Sequence, residues 1–326
     1  MLPNHPVRPV ALALATGLLV AACSIAAAPT PTPRPSVDPT ACAGQPMTGD
    51  HPGWPQPSRE VVPVIVSSQL GVGPSRFLFT ITDGSNRLIA ARDAQVEVSV
   101  YDLATDPRTP VASVPATYYD AGNGRGLYHA WVTFPCSGDW GARFEVRRPG
   151  SMKTSAGAMF TVWPTTTVPA IGDPAPRSET PTADDAAGIA AISTDATPDP
   201  DFYRSSIADA VTSGQPSLIV FATPAFCQTA VCGPALDMVQ TVAADYRDRV
   251  TFVHVEPYLL KQTENGLQPD LKGGRLQPVP ALKEWGLLTE PYIFVVDAQG
   301  NVSAGFEGMA GADELRAALD AVTASD

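Results

Sequence analysis

Positive charge is scarce in these 326 residues. Lys and Arg number 21 against 33 Asp and Glu, a formal net charge of -12 at pH 7. Such a chain repels phosphate backbones, which excludes nucleic acid as a natural partner. Long apolar runs are missing too: nowhere do 18 apolar residues follow one another, so no ordinary transmembrane helix is encoded. The sequence has no G-x-S-x-G, H-E-x-x-H, Walker or G-x-G-x-x-G motif, which removes the common signatures of hydrolases, zinc proteases and nucleotide binders. Cysteine is sparse, at 5 residues, and its odd count needs explaining in an exported chain. Apolar residues, at 44%, suffice for a packed core and argue against wholesale disorder. At roughly 150 residues per domain the length suggests two domains.

The N-terminus reads as an address. Residues 1–9 carry one Arg and no acid, and 10–22 are apolar, long enough for a signal-peptide core and too short to span a bilayer. The run ends in Val20-Ala21-Ala22-Cys23. This resembles the lipobox of bacterial lipoproteins. The resemblance implies that 1–22 are removed and that Cys23 is lipidated, which would anchor the chain on the extracytoplasmic face of the cell membrane. Disulfides persist there. Setting Cys23 aside leaves four cysteines: Cys42, Cys136, Cys227 and Cys232. Residues 23–56 open with alternating Pro and Thr, which favour an extended tether.

Residues 57–165 carry strand signals at 61–66, 76–82, 94–101, 126–134, 140–147 and 158–163. In 94–101, Val96, Val98 and Val100 alternate with Glu97 and Ser99, the period of a half-buried strand. Asp83-Gly84-Ser85-Asn86 and residues 120–124 supply turns. Short strands without helical periodicity predict an all-β sandwich. Residues 126–132 and 137–140 resemble immunoglobulin-like accessory domains of bacterial envelope proteins. Cys42 and Cys136 read foremost as a structural disulfide pinning the leading segment to this sandwich, with an exchangeable pair as the alternative. Residues 166–200, rich in Pro, Thr and Asp, read as a linker whose later part can pack on the C-terminal domain.

Residues 201–326 change character. The pattern predicts a helix at 201–213, a buried strand at 217–222, a helix at 235–247 and a strand at 250–255. A short helix at 280–285, strands at 292–297 and 302–306, and a helix at 312–323 complete it. Alternation followed by a hairpin predicts an α/β domain with a mixed sheet. Residues 261–277 read as a polar loop.

One stretch carries chemistry: Phe221-Ala222-Thr223-Pro224-Ala225-Phe226-Cys227-Gln228-Thr229-Ala230-Val231-Cys232-Gly233-Pro234. A strand-to-helix junction suits a reactive thiol, because helix-terminal N–H groups and the helix dipole stabilise a thiolate. With the β-α-β-β-α order, this resembles the thioredoxin superfamily, and its C-x4-C spacing resembles a branch of bacterial exported thioredoxin-domain proteins. The resemblance implies a redox pair with Cys227 as the nucleophile and Cys232 as the resolving thiol. It also implies substrate contacts at Phe226 and at Glu290-Pro291, with Pro291 in the cis form and the Glu290 backbone pairing with an incoming substrate strand. The implied partners are exported protein thiols or disulfides and a membrane electron donor or acceptor. No organic cofactor is called for, because the dithiol is itself the redox group, and no metal ligand set is assigned.

Two departures from the family stand out. In one regular helix, residues five apart have Cα atoms roughly 8–9 Å apart, too far for a disulfide, so Cys227 must lie outside the helix if the pair is to close. Phe221 also stands where many family members have a buried acid for proton transfer. Two other readings therefore remain: a non-catalytic binding lipoprotein with a structural disulfide, and a copper-delivery protein using the two thiols and His254. His51 and His129 show no partner pattern, and Met238 and Met309 read as packing residues.

Overall fold

The computed structural model describes residues 60–324 except Asn123, Thr229 and Ala230, together with Met1, Trp54 and Ser58. The expected signal peptide, Cys23, Cys42 and His51 lie outside the described residues. The described chain is mostly β-sheet with few helices. No helix in it is long and apolar enough to cross a membrane.

Strands come first: β1 (Val62–Ile65), β2 (Leu70–Gly71), β3 (Gly73–Thr82), β4 (Gln95–Asp102), β5 (Ala112–Pro115), β6 (Thr117–Asp120), β7 (Gly126–Phe134), β8 (Gly138–Arg147) and β9 (Thr154–Trp163). They form two sheets, ordered β1-β3-β7-β6 and β2-β9-β8-β4-β5. Phe77, Phe79, Tyr128 and Phe134 of the first sheet meet Val98, Val100, Trp140 and Phe144 of the second in one core. Each such side chain contributes about 1.5–3 kcal/mol by leaving water. β3 from Phe77 onward and the first half of β7 are covered on both faces. While Phe77 and Phe79 point into the sandwich, Leu78 points the other way, and beside it Leu127 joins a second cluster containing Val231, Ala235 and Met309. That second cluster is where the sandwich meets the rest of the chain.

The later elements are α1 (Ile207–Thr212), β10 (Ser217–Phe221), α2 (Cys232–Ala243), β11 (Thr251–Val255), β12 (Leu260–Thr263), β13 (Gly266–Pro269), β14 (Leu271–Lys272), β15 (Arg275–Leu276), α3 (Pro280–Glu284), β16 (Tyr292–Val296), β17 (Val302–Glu307) and α4 (Ala312–Thr323). A four-stranded sheet runs β11-β10-β16-β17. β10 pairs parallel with β11 and antiparallel with β16, and β16 pairs antiparallel with β17. Alternation sorts its side chains by face. Leu218, Val220, Ile293 and Val295 pack under α2 and α4, against Leu236, Val239, Leu315 and Leu319. Ile219, Phe221, Phe294 and Val296 pack on the opposite face with Ile207, Val211, Leu282 and Trp285.

Several expectations need correction. The helix expected at 235–247 begins earlier, at Cys232, and ends at Ala243. Pro234 falls in its first turn, where a missing N–H has no intrahelical partner to lose. The helix expected at 201–213 is a 3-10 turn, Pro200–Tyr203, followed by α1. The break comes where the Ser206 hydroxyl accepts the Asp209 N–H and starts a new helix. The polar loop at 261–277 folds into two hairpins, β12–β13 and β14–β15. Gly266 and the pair Gly273-Gly274 turn them with positive φ, which glycine adopts without steric cost.

The expected linker, 166–200, is packed. The Gly172 N–H donates to the Val302 carbonyl at 2.7 Å and Ala175 N–H to the Gly300 carbonyl at 2.9 Å, so the segment runs along the start of β17. Its Thr180 hydroxyl accepts the Ile207 N–H at 2.9 Å. Trp54, within the expected tether, is buried with Tyr101 and Leu103. Its ring occupies the space that a side chain on Gly141 would need. The described residues from Trp54 onward fall within one compact unit.

Candidate functional site

β10 and β11 are parallel, so the loops after them emerge side by side at one edge of the sheet, the usual place for a site in such folds. The loop after β10 carries Cys227 and leads into α2, which opens on Cys232. The two cysteines form a disulfide with Cα atoms 5.9 Å apart. Closure is possible because Cys227 lies in the loop and only Cys232 has entered the helix. The geometric condition set by the five-residue spacing is thereby met.

The two sulfurs differ in environment. Cys232 is fully buried under the sheet, whereas Cys227 is half-buried. The Cys232 backbone N–H donates to Cys227 Sγ at 3.2 Å. That donor is one of the free N–H groups at the start of α2, so the positive end of the helix is aimed at the outer sulfur.

The chain before β16 completes the site. The Glu290–Pro291 bond is cis. Both residues are buried, and the Pro291 carbonyl accepts the Gly308 N–H at 2.8 Å. The Glu290 carboxylate points at the cysteines: its oxygen and both sulfurs lie within 4.8 Å of one another. Gln228 N–H donates to Glu290 Oε1 at 3.3 Å, and Tyr258 O–H donates to Oε2 at 2.6 Å. Gln228 Nε2 donates in turn to the Tyr258 oxygen at 3.2 Å. Burial, reinforced by the bond to Glu290, raises the Tyr258 phenol above its ordinary range and keeps it a donor. Phe226 sits half-buried in the turn before Cys227. Phe221, the last residue of β10, packs against Trp285 at 5.6 Å between ring centroids.

Sequence reasoning named Glu290 for its backbone and missed its side chain, and it missed Tyr258 and Gln228. The parallel pairing of β10 and β11 was the available signal, because it brings residues 256–258 beside 223–228. In front of Thr289 and Glu290 lies an apolar cleft of about 260 Å³, walled on the far side by Leu78, Leu127 and Ala121 of the sandwich. The space where a substrate strand was expected is therefore bounded by the first half of the chain.

The other candidates fall elsewhere. His254 is buried in β11. Its Nε2–H donates to the Ala222 carbonyl at 2.9 Å, and its Nδ1 lies 2.8 Å from the Tyr203 hydroxyl. Both ring nitrogens are engaged, and among the described residues His254 belongs to no cluster of three or more His, Cys, Asp or Glu side chains. The copper reading through His254 is corrected on that geometry. His129 does have a partner: its Nε2 lies 3.2 Å from Glu314. Met309 is buried at the meeting of the sandwich with α2, and Met238 packs against the core under α2. Cys136 is buried and disulfide-bonded.

No family model matches the chain. No curated protein matches it either. Among solved structures, MTB dsbF, in mixed oxidized and reduced forms, is similar over 46% of this chain and 99% of its own, at 23% identity and a TM-score of 0.30. A DUF4426 family protein from Pseudomonas aeruginosa PAO1 covers 28% of this chain and 76% of its own, at 12% identity and a TM-score of 0.21. The PmoD soluble domain from Methylocystis sp. ATCC 49242 (Rockwell) covers 29% and 75%, at 16% identity and a TM-score of 0.20. Likenesses this slight carry no weight for function, which rests on the residues themselves.

Proposed function

We propose that this chain is a lipid-anchored, extracytoplasmic thiol–disulfide exchange protein acting through Cys227 and Cys232. In this reading residues 57–165 are an immunoglobulin-like sandwich and 201–326 a thioredoxin-like domain. Cys23 carries the anchor, and Cys42 pairs with Cys136. Its partners are exported protein thiols or disulfides and a membrane electron donor or acceptor.

The observation that carries the reading is the asymmetry of the pair. Cys227 is the reachable sulfur and receives a helix-terminal N–H, while Cys232 is wholly buried behind it. A donor at 3.2 Å favours sulfur as thiolate, which makes Cys227 the attacking and leaving atom. Thiolate attack would give a mixed disulfide at Cys227, and Cys232 would resolve it. The cis Glu290–Pro291 bond beside the pair and the β11-β10-β16-β17 order support the thioredoxin-like assignment.

The competing reading is a binding protein with an inert staple, and the closeness of the sandwich to Glu290 favours it. Equilibration of the protein in glutathione buffers with thiol trapping separates the two. An exchange catalyst is expected to show a reversible couple between about -270 and -120 mV. A pair that stays oxidised below about -300 mV is a staple, and the exchange reading then falls.

A further inference from the structure

Exchange chemistry leaves one proton unaccounted for. When Cys227 is tied up in a mixed disulfide, Cys232 must lose its thiol proton before it can attack. Cys232 is wholly buried, so water is a poor acceptor. No acid stands under the disulfide on β10, where Phe221 is packed among aromatic rings.

The structure supplies a carboxylate from another direction. Glu290 is only 5% exposed, yet its carboxylate lies within 4.8 Å of both sulfurs. Its oxygens are held by the Gln228 N–H and the Tyr258 O–H. Those donors fix its orientation, and neither is a strong acid that would return a proton to it. We infer that Glu290 is the proton-transfer residue of the Cys227–Cys232 pair, taking the Cys232 proton during resolution and, once reprotonated from solvent, supplying one to Cys232 when the disulfide is reopened. This rests on the exchange reading above.

In the reducing direction, the Cys227 thiolate attacks one sulfur of a substrate disulfide and expels the other as thiolate. The Cys232 proton passes to the Glu290 carboxylate. The Cys232 sulfur then attacks Cys227 Sγ, the Cys227–substrate bond breaks, and the second substrate sulfur leaves as thiolate. Glu290 releases its proton to that thiolate or to water. Two electrons go from the protein dithiol to the substrate disulfide, and no other reagent is needed.

The titratable groups facing Glu290 come from three elements. Tyr258 lies just after β11, while Arg125, between β6 and β7, and Glu307, at the end of β17, line the same cleft. Burial raises the Glu307 carboxyl above its ordinary value, and its oxygens accept from the Ser68 N–H and the Thr289 hydroxyl, each at 2.9 Å. Glu307 is thus committed elsewhere.

The test is stopped-flow reaction of the reduced full chain with dithiobis(nitrobenzoate), the release from Cys23, Cys42 and Cys136 being subtracted with the Cys227→Ser, Cys232→Ser double variant. Cys227 releases one thionitrobenzoate on attack, and Cys232 releases the second on resolution. Glu290→Gln keeps the shape and one of the two acceptor oxygens, puts an NH2 donor in place of the other, and cannot take a proton. It is expected to slow the second phase at pH 7 by about tenfold or more and not to slow the first, which needs no proton acceptor. The deficit should shrink as pH rises beyond about 8.5, the value for an exposed thiol, because hydroxide then competes as the proton acceptor. Glu290→Asp should recover part of the rate, which also controls for misfolding. A second phase unchanged in Glu290→Gln, or slowed equally at every pH, overturns the inference while leaving exchange intact. A wild-type chain that releases only one thionitrobenzoate overturns the exchange reading, and the inference with it.

Discussion

At the scale of single residues, a run of buried hydrogen bonds leads from Ser193 to the end of β10. Ser193 Oγ lies 2.8 Å from the Tyr203 oxygen, which lies 2.8 Å from His254 Nδ1. His254 Nε2–H then donates to the carbonyl of Ala222, the residue just after β10. With a neutral imidazole protonated on Nε2, the Tyr203 O–H donates to Nδ1. Burial accordingly depresses the His254 pKa, and it depresses that of His129 for the same reason. A histidine whose folded pKa is lowered binds fewer protons folded than unfolded. Its contribution is therefore intact above about pH 6.5 and is lost as pH falls from there toward the folded value. Each of the two is expected to cost up to about 1.4 kcal/mol per pH unit across that window. Urea midpoints measured between pH 7 and pH 5 check this, and the slope should lessen in His254→Gln.

At the scale of elements, α1 is short and depends on its cap. The Ser206 oxygen accepts the Asp209 N–H at 3.0 Å, and its hydroxyl donates to the Asp209 carboxylate at 2.7 Å. Ser206→Ala is expected to cost about 1 kcal/mol, read as a lower urea midpoint with an unchanged slope. Elements of this kind also mark what the sequence discloses. Strand β4 was legible because Val96, Val98 and Val100 alternate with polar neighbours within eight residues. β10 was legible as a short run of apolar residues. The hairpins β12–β13 and β14–β15 were hidden by polar composition, although Gly273-Gly274 is a turn signal in its own right. The cysteine pair was visible as a local motif. The Glu290 side chain was not, because its place beside the sulfurs depends on how β11 and β16 flank β10, and no local pattern encodes that.

At the scale of the whole molecule, a buried charge joins the sandwich to the second sheet. Arg76 of β3 donates from Nε and Nη2 to the two oxygens of Glu314 in α4, both at 2.9 Å. It also donates to the backbone carbonyls of Glu307 and Met309, at 3.1 and 2.9 Å. Its guanidinium lies over the rings of Tyr119 and Phe306. Removing one side of a buried pair leaves the other charge uncompensated, so Arg76→Ala is expected to cost about 3–5 kcal/mol. Replacing both partners, as Arg76→Met with Glu314→Leu, should cost less than Arg76→Ala alone. Denaturant unfolding of the single and double variants checks both statements. Around this pair, Leu78, Tyr119, Val231, Ala235 and Met309 form an apolar seam. Pro164 and Thr165, between β9 and the packed segment after it, are exposed. Cleavage at that dipeptide would leave the fragments clasped to each other, so the peptide link there matters to how the chain is made and hardly at all to what keeps its halves together.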